Sequence, residues 1–227
     1  KWLCSGSACG DALVLYYAGH GTSVFVTQNP NPESYGCLCA SDGLVLMSEI
    51  WNETQYLASG TSLVCIIDAP FGEQVLDVGE RLPNTDDEVV RKLISKTPFR
   101  DRPKQGARGL GPRQPPPWFS VDHFPETVKP LMRFPKNVNG FCFAACLPRQ
   151  FAGEGSNERT RLPGGIFTSC FEQTLALLEG RPVTVLEFFD MLESKMRSVV
   201  DPSKQSPCLC WSSECPPDKT LLVLPVS

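Results

Sequence analysis

An α/β fold, with a mainly parallel sheet and helices on both faces, is what this sequence predicts, and three observations carry it. Asp11 to Tyr17 and Ser62 to Ile67 are apolar runs rich in β-formers, the pattern of strands buried on both sides. Between them lie a loop signal, Gln28-Asn29-Pro30-Asn31-Pro32, and apolar residues at helical spacing from Leu44 to Leu57, with Ile50, Trp51 and Leu57 on the inner face. Strand, loop, helix, strand is a βαβ crossover. Beyond residue 140 the pattern of strand and helix resumes.

The later elements follow in order. Gly140 to Cys146 predicts a third strand. Ile166 to Leu178 predicts a helix, approached through Pro163-Gly164-Gly165 and left at Gly180. Val185 to Val199 predicts a second helix, with Thr184 at its N-cap and Glu187 at the third helical position, the spacing of a capping box. Leu221 to Leu224 predicts a terminal strand, and no internal repeat is visible.

From about Val78 to Lys136 the character changes. Arg91, Lys92, Lys96, Arg100, Arg102, Lys104, Arg108 and Arg113 face few acids, and Pro112, Pro115, Pro116 and Pro117 interrupt the run. This composition predicts a flexible basic linker with a short polyproline segment. It divides the chain into a first region, 1–78, the linker, 79–136, and a second region of the same domain, 137–227.

Composition narrows the class. The chain has 227 residues, 41% hydrophobic and 20% charged, with a formal net charge of −4. That suits one globular domain split by an insertion, and an acidic chain without interleaved aromatics in its basic stretch argues against nucleic acid. No apolar run approaches the roughly 18 residues that cross a bilayer. The eleven cysteines are odd in number and several lie inside apolar runs, so they are expected as reduced thiols in a cytoplasmic protein. Cys208-Leu209-Cys210 with Cys215, and Cys37-Leu38-Cys39, are spaced more tightly than zinc ligands usually are and are read as structural thiols. Asn52-Glu53-Thr54 fits a glycosylation sequon by chance.

Two strand ends carry potential chemistry. The first apolar run empties into Tyr17-Ala18-Gly19-His20-Gly21, with one of only two histidines. The second empties into Asp68-Ala69-Pro70-Phe71-Gly72-Glu73. His123, past the linker's prolines, matches no motif.

In order and spacing these landmarks resemble a metacaspase, a caspase-like cysteine peptidase of the C14 type. Tyr17 to Gly21 is similar to that family's Y-S-G-H-G and Asp68 to Glu73 to its D-[SC]-C-H-S-G. Ala144-Ala145-Cys146-Leu147-Pro148-Arg149-Gln150 is similar to S-G-C-x-D-x-Q, and Gly165 to Phe171 to G-x-F-T-x-x-F. The resemblance implies a caspase-like sheet whose first two strands precede Lys1, so the chain is expected to be a fragment. It also implies a catalytic role for His20, an oxyanion-hole N–H from Gly21, substrate binding at Asp68 and Ala18, and a calcium ligand at Asp77.

The departures matter as much. The nucleophile's position is held by Pro70, which has neither thiol nor backbone N–H. One substitution removes both the attacking group and an oxyanion donor, and one such donor alone is worth about 10²–10³ in rate. Ala18 stands for a pocket serine and Pro148 for an aspartate. Of the family's calcium carboxylates only Asp77 is kept, since Gly36 and Met47-Ser48, ahead of Glu49, occupy the others, and calcium wants six to eight oxygens. No cofactor is therefore expected.

The function expected is a metacaspase-like pseudopeptidase, regulatory or scaffolding, whose partner is a protein such as an active relative. Two rivals stand. One is an active endopeptidase cleaving after Arg or Lys with another thiol, Cys37, Cys39 or Cys65. The other is an interaction module using the proline-rich linker.

Overall fold

The computed structural model describes residues 3–26, 33–70, 128–131, 137–147, 150–156, 163–212 and 215–222. Its centre is a five-stranded sheet. β1 (Ala12–Ala18) is the expected first strand and pairs in parallel with β5 (Ser62–Asp68), residue for residue from Ala12↔Ser62 to Ala18↔Asp68. β5 pairs in parallel with β7 (Asn139–Ala144). β10 (Cys208–Ser212) runs antiparallel to β7, and β6 (Val128–Leu131) lies parallel to β10. The order is β1-β5-β7-β10-β6.

The unbroken hydrophobicity of β5 follows from its central place. Val64 and Ile66 face one side, with Phe141 and Phe143 of β7 and Leu209 and Trp211 of β10. Leu63, Cys65 and Ile67 face the other, with Cys142, Ala144, Cys208 and Cys210. The first side is covered by α2 (Ile166–Leu178) and α3 (Val185–Arg197), through Phe167, Phe171, Phe188 and Leu192. Phe143 meets Phe171 and Phe188 edge-on, each at a ring separation of 5.6 Å. Such contacts add about 0.5–1.5 kcal/mol each beyond the area they bury. The second side receives Leu38, Met47 and Leu57.

Those last residues belong to structure that the sequence pattern only partly disclosed. β2 (Gly21–Val26), β3 (Glu33–Ala40) and β4 (Gly43–Leu46) form a separate antiparallel sheet in the order β2-β3-β4. The helix expected over 44–57 is α1 (Met47–Thr54), and its first residues belong to β4. The expected loop residues 28–32 lie outside the described residues. The remaining two strands, β8 (Glu154–Ser156) and β9 (Pro163–Gly165), pair antiparallel, so the approach to α2 is extended.

Three expectations need correction. The last described strand of the central sheet is β10; of the expected terminal strand 221–224, Leu221 makes an isolated bridge to Thr184, and 223–227 lie outside the described residues. In β10 two closely spaced cysteines obscure a short strand that ends in Ser212. The edge strand β6 falls within the span assigned to the linker, 79–136; Arg91 to Arg113, Pro115 to Pro117 and His123 lie outside the described residues. The helix expected to reach Val199 ends at Arg197. Its cap is as expected, with Thr184 Oγ1 accepting from the Glu187 N–H and the Glu187 carboxylate accepting from the Thr184 N–H. Among the described residues no helix is long and apolar enough to cross a membrane.

Candidate active site at the ends of β1 and β5

Parallel pairing of β1 and β5 delivers the two candidate motifs to one end of the sheet. Ala18 and Asp68 stand side by side in the last register pair, and the Gly19 N–H donates to the Asp68 carbonyl at 3.1 Å. The chain then turns through His20 into β2. Gly21 lies directly on Pro70: a Cβ at position 21 would collide with the Pro70 carbonyl oxygen. Only glycine permits that approach. Both Gly21 and Pro70 are buried, and His20 is half-buried.

Tyr17, which sequence reasoning passed over, holds this turn in place. Its hydroxyl donates to the carbonyls of His20 and Cys39, each at 2.9 Å, and the Cys39 N–H donates to the His20 carbonyl at 2.9 Å. The backbone around the imidazole is thereby tied to β3. His20 Nδ1 is buried and makes no hydrogen bond among the described residues. The hint in the sequence was a pair of hydroxyls, those of Tyr16 and Tyr17, in an otherwise apolar strand.

Asp68 is fully buried, and one carboxylate oxygen accepts from Thr168 Oγ1 at 2.6 Å and from the Thr168 N–H at 3.1 Å. Thr168 is the third residue of α2, a helix with no side-chain N-cap and no acid in its first turn. Asp68 supplies from β5 the negative charge and acceptor that a helix N-terminus favours. Tyr16, an exposed residue, brings its hydroxyl to within 3.2 Å of Thr168 Oγ1.

The segment from Ala144 to Gln150 is likewise occupied. The Gln150 side chain accepts from the N–H groups of Leu147 and Ser206 and donates to the Pro202 carbonyl. Gln205 accepts from the Gly153 N–H and donates to the Ala145 carbonyl. Together they fasten the segment after β7 to the segment before β10. Pro148 and Arg149 lie outside the described residues.

The other thiols are distributed as follows. Cys65 is fully buried in the sheet, and burial pushes its thiol pKa far up. Cys37 is buried in β3, paired with Thr22. Cys39 is half-buried, its thiol pKa also raised by burial. Neither Cys65 nor Cys39 has the lowered pKa of an activated nucleophile. Among the described residues the eleven cysteines are thiols rather than disulfides.

Calcium does not fit the described residues at the places the resemblance marks. Gly36 and Met47 bring no carboxylate, and the Glu49 carboxylate accepts from the Leu46 N–H at the start of α1. Asp77 lies outside the described residues. No group of three or more candidate ligands gathers among the described residues.

Sheet order, flanking helices and the two motif-bearing strand ends define a caspase-like α/β domain. Residues 1–79 match the family model of the metacaspase, peptidase C14 domain. The fold is similar to the crystal structure of protein GSU0716 from Geobacter sulfurreducens, with a TM-score of 0.53 at 15% identity, covering 90% of this chain and 67% of that one. No curated protein matches the sequence.

Proposed function

We propose that this chain is a metacaspase-like pseudopeptidase, a caspase-fold protein that keeps His20 but cannot cleave peptide bonds. The observation that carries the reading is Pro70 packed on Gly21, beside the histidine, where a nucleophile and its N–H would be needed. A proline there can neither attack a carbonyl nor donate to the resulting oxyanion. His20 Nδ1, without a hydrogen-bond partner among the described residues, is consistent with a histidine that has lost its thiol. The buried, Thr168-bound Asp68 supports a further loss, since a carboxylate spent on a helix end is poorly placed to receive a basic side chain. The role left is regulatory: binding a protein partner, such as an active metacaspase, rather than hydrolysing one.

The test is a fluorogenic Arg- or Lys-peptide assay with and without calcium. No turnover is expected. Turnover abolished by alkylation would instead establish the rival endopeptidase, for which Cys39, backbone-bonded to His20, is the thiol to map. Pro70→Cys is expected to restore little or no activity. Robust recovery would show that the pocket and calcium elements are intact after all.

A further inference from the structure

The face of the sheet turned away from α2 and α3 carries a row of cysteines. Cys65, Cys142 and Cys210 are register partners across β5, β7 and β10, each at most 1% exposed, and Cys208 lies two residues along, its sulfur 4.0 Å from that of Cys210. The pseudopeptidase reading uses none of them.

Cys142 and Cys210 stand directly opposite each other in an antiparallel ladder. Residues so placed have Cα atoms about 4.5–5.5 Å apart, inside the roughly 4.4–6.8 Å that a disulfide spans. We propose that Cys142 and Cys210 are a latent cross-strand disulfide, formed by a hydroperoxide when the β10 side of the sheet opens. One sulfur attacks the peroxide's outer oxygen, giving a sulfenic acid and releasing the alcohol, or water from hydrogen peroxide itself. The second thiol then displaces water from that sulfenic acid. Two thiols and one hydroperoxide thus yield one disulfide, one alcohol and one water, the two electrons passing to the peroxide.

Burial protects the pair in the closed fold, because the thiolate is the reactive form and the peroxide has no path to it. Opening is easiest on the β10 side. There the flanking strand β6 has four residues, and Pro130, opposite Trp211, has no N–H to donate. Cys65, the alternative partner of Cys142, lies in β5, which is paired along all seven residues with β1. The bond would staple β7 to β10 and enclose both α2 and α3 in one covalent loop.

The experiment treats the full chain with hydrogen peroxide in increasing, sub-denaturing urea, then alkylates it and maps peptides without reduction. A Cys142–Cys210 peptide pair is expected, cleaved by dithiothreitol, forming several-fold faster as urea rises. The oxidised protein should also melt at a higher temperature than the reduced one. In Cys210→Ser the linked pair should vanish; should that variant not fold, the wild-type map and melt still decide. A Cys65–Cys142 link, a statistical mixture of links, or oxidation confined to Cys9 and Cys39 would each overturn the proposal.

Discussion

Asp68 and Thr168 meet through two hydrogen bonds, and the allocation of that carboxylate decides what a substitution there does. Hydrogen bonds to a charged group contribute about 1.5–3 kcal/mol, and Asp68→Ala strands the Thr168 donors in a partly buried site. Its expected effect is therefore a stability loss of about 2 kcal/mol in a urea melt. Thr168→Val should cost a similar amount, and the double variant less than the sum of the two. Near-wild-type stability of Asp68→Ala would show the carboxylate to be held for a ligand instead. The place of Asp68 at a strand end was legible in the sequence. Its partner was not, because a hundred residues separate the two and no local pattern joins them. The same holds for the Tyr17 hydroxyl, whose acceptor on β3 was hidden by the unrecognised hairpin.

Elements with a local signature were legible, and α3 shows why. Its capping box needs only residues three apart, so Thr184 and Glu187 announce it in the chain. Thr184→Ala should lower stability by about 1 kcal/mol, measured by thermal or urea unfolding. The Glu187 carboxyl pKa is lowered, first by its bond to the Thr184 backbone and then by the one to its side chain. A carboxyl whose pKa is lowered on folding contributes stability above its unfolded value, which fades as pH falls through the folded one. Alanine keeps the backbone N–H, so Thr184→Ala removes only the smaller, side-chain part of this effect, and the difference between wild type and variant should be full at neutral pH and shrink in part on acidification below the ordinary glutamate range. An unchanged difference at low pH would remove the carboxylate from the account. Short strands gave weaker signals. Cys208–Ser212 is five residues long, and in β3 the glycine and cysteines blur the alternation that marks a half-buried strand.

Across the whole molecule, the class was legible where the order was not. Continuous apolar runs announce a sheet buried on both sides, but strand order depends on pairings far apart in sequence, such as β7 with β10. Phe143 is the pivot of the helical side, fully buried and edge-on to both Phe171 and Phe188. Phe143→Ala should cost about 3–5 kcal/mol of unfolding free energy, and helical ellipticity and tertiary signals should fall in one transition. A loss under 1 kcal/mol would mean the helices are held chiefly by something else.

Two alphabets are interleaved in β7 and β10: aromatic and bulky letters at Phe141, Phe143, Leu209 and Trp211, small and sulfur-bearing ones at Cys142, Ala144, Cys208 and Cys210. Neighbouring letters in these strands therefore answer to different company. A change of bulk at one position presses on a helix pair, while the same change one step along presses on the opposite layer, so tolerance to substitution should swing with odd and even number rather than drift smoothly along the chain.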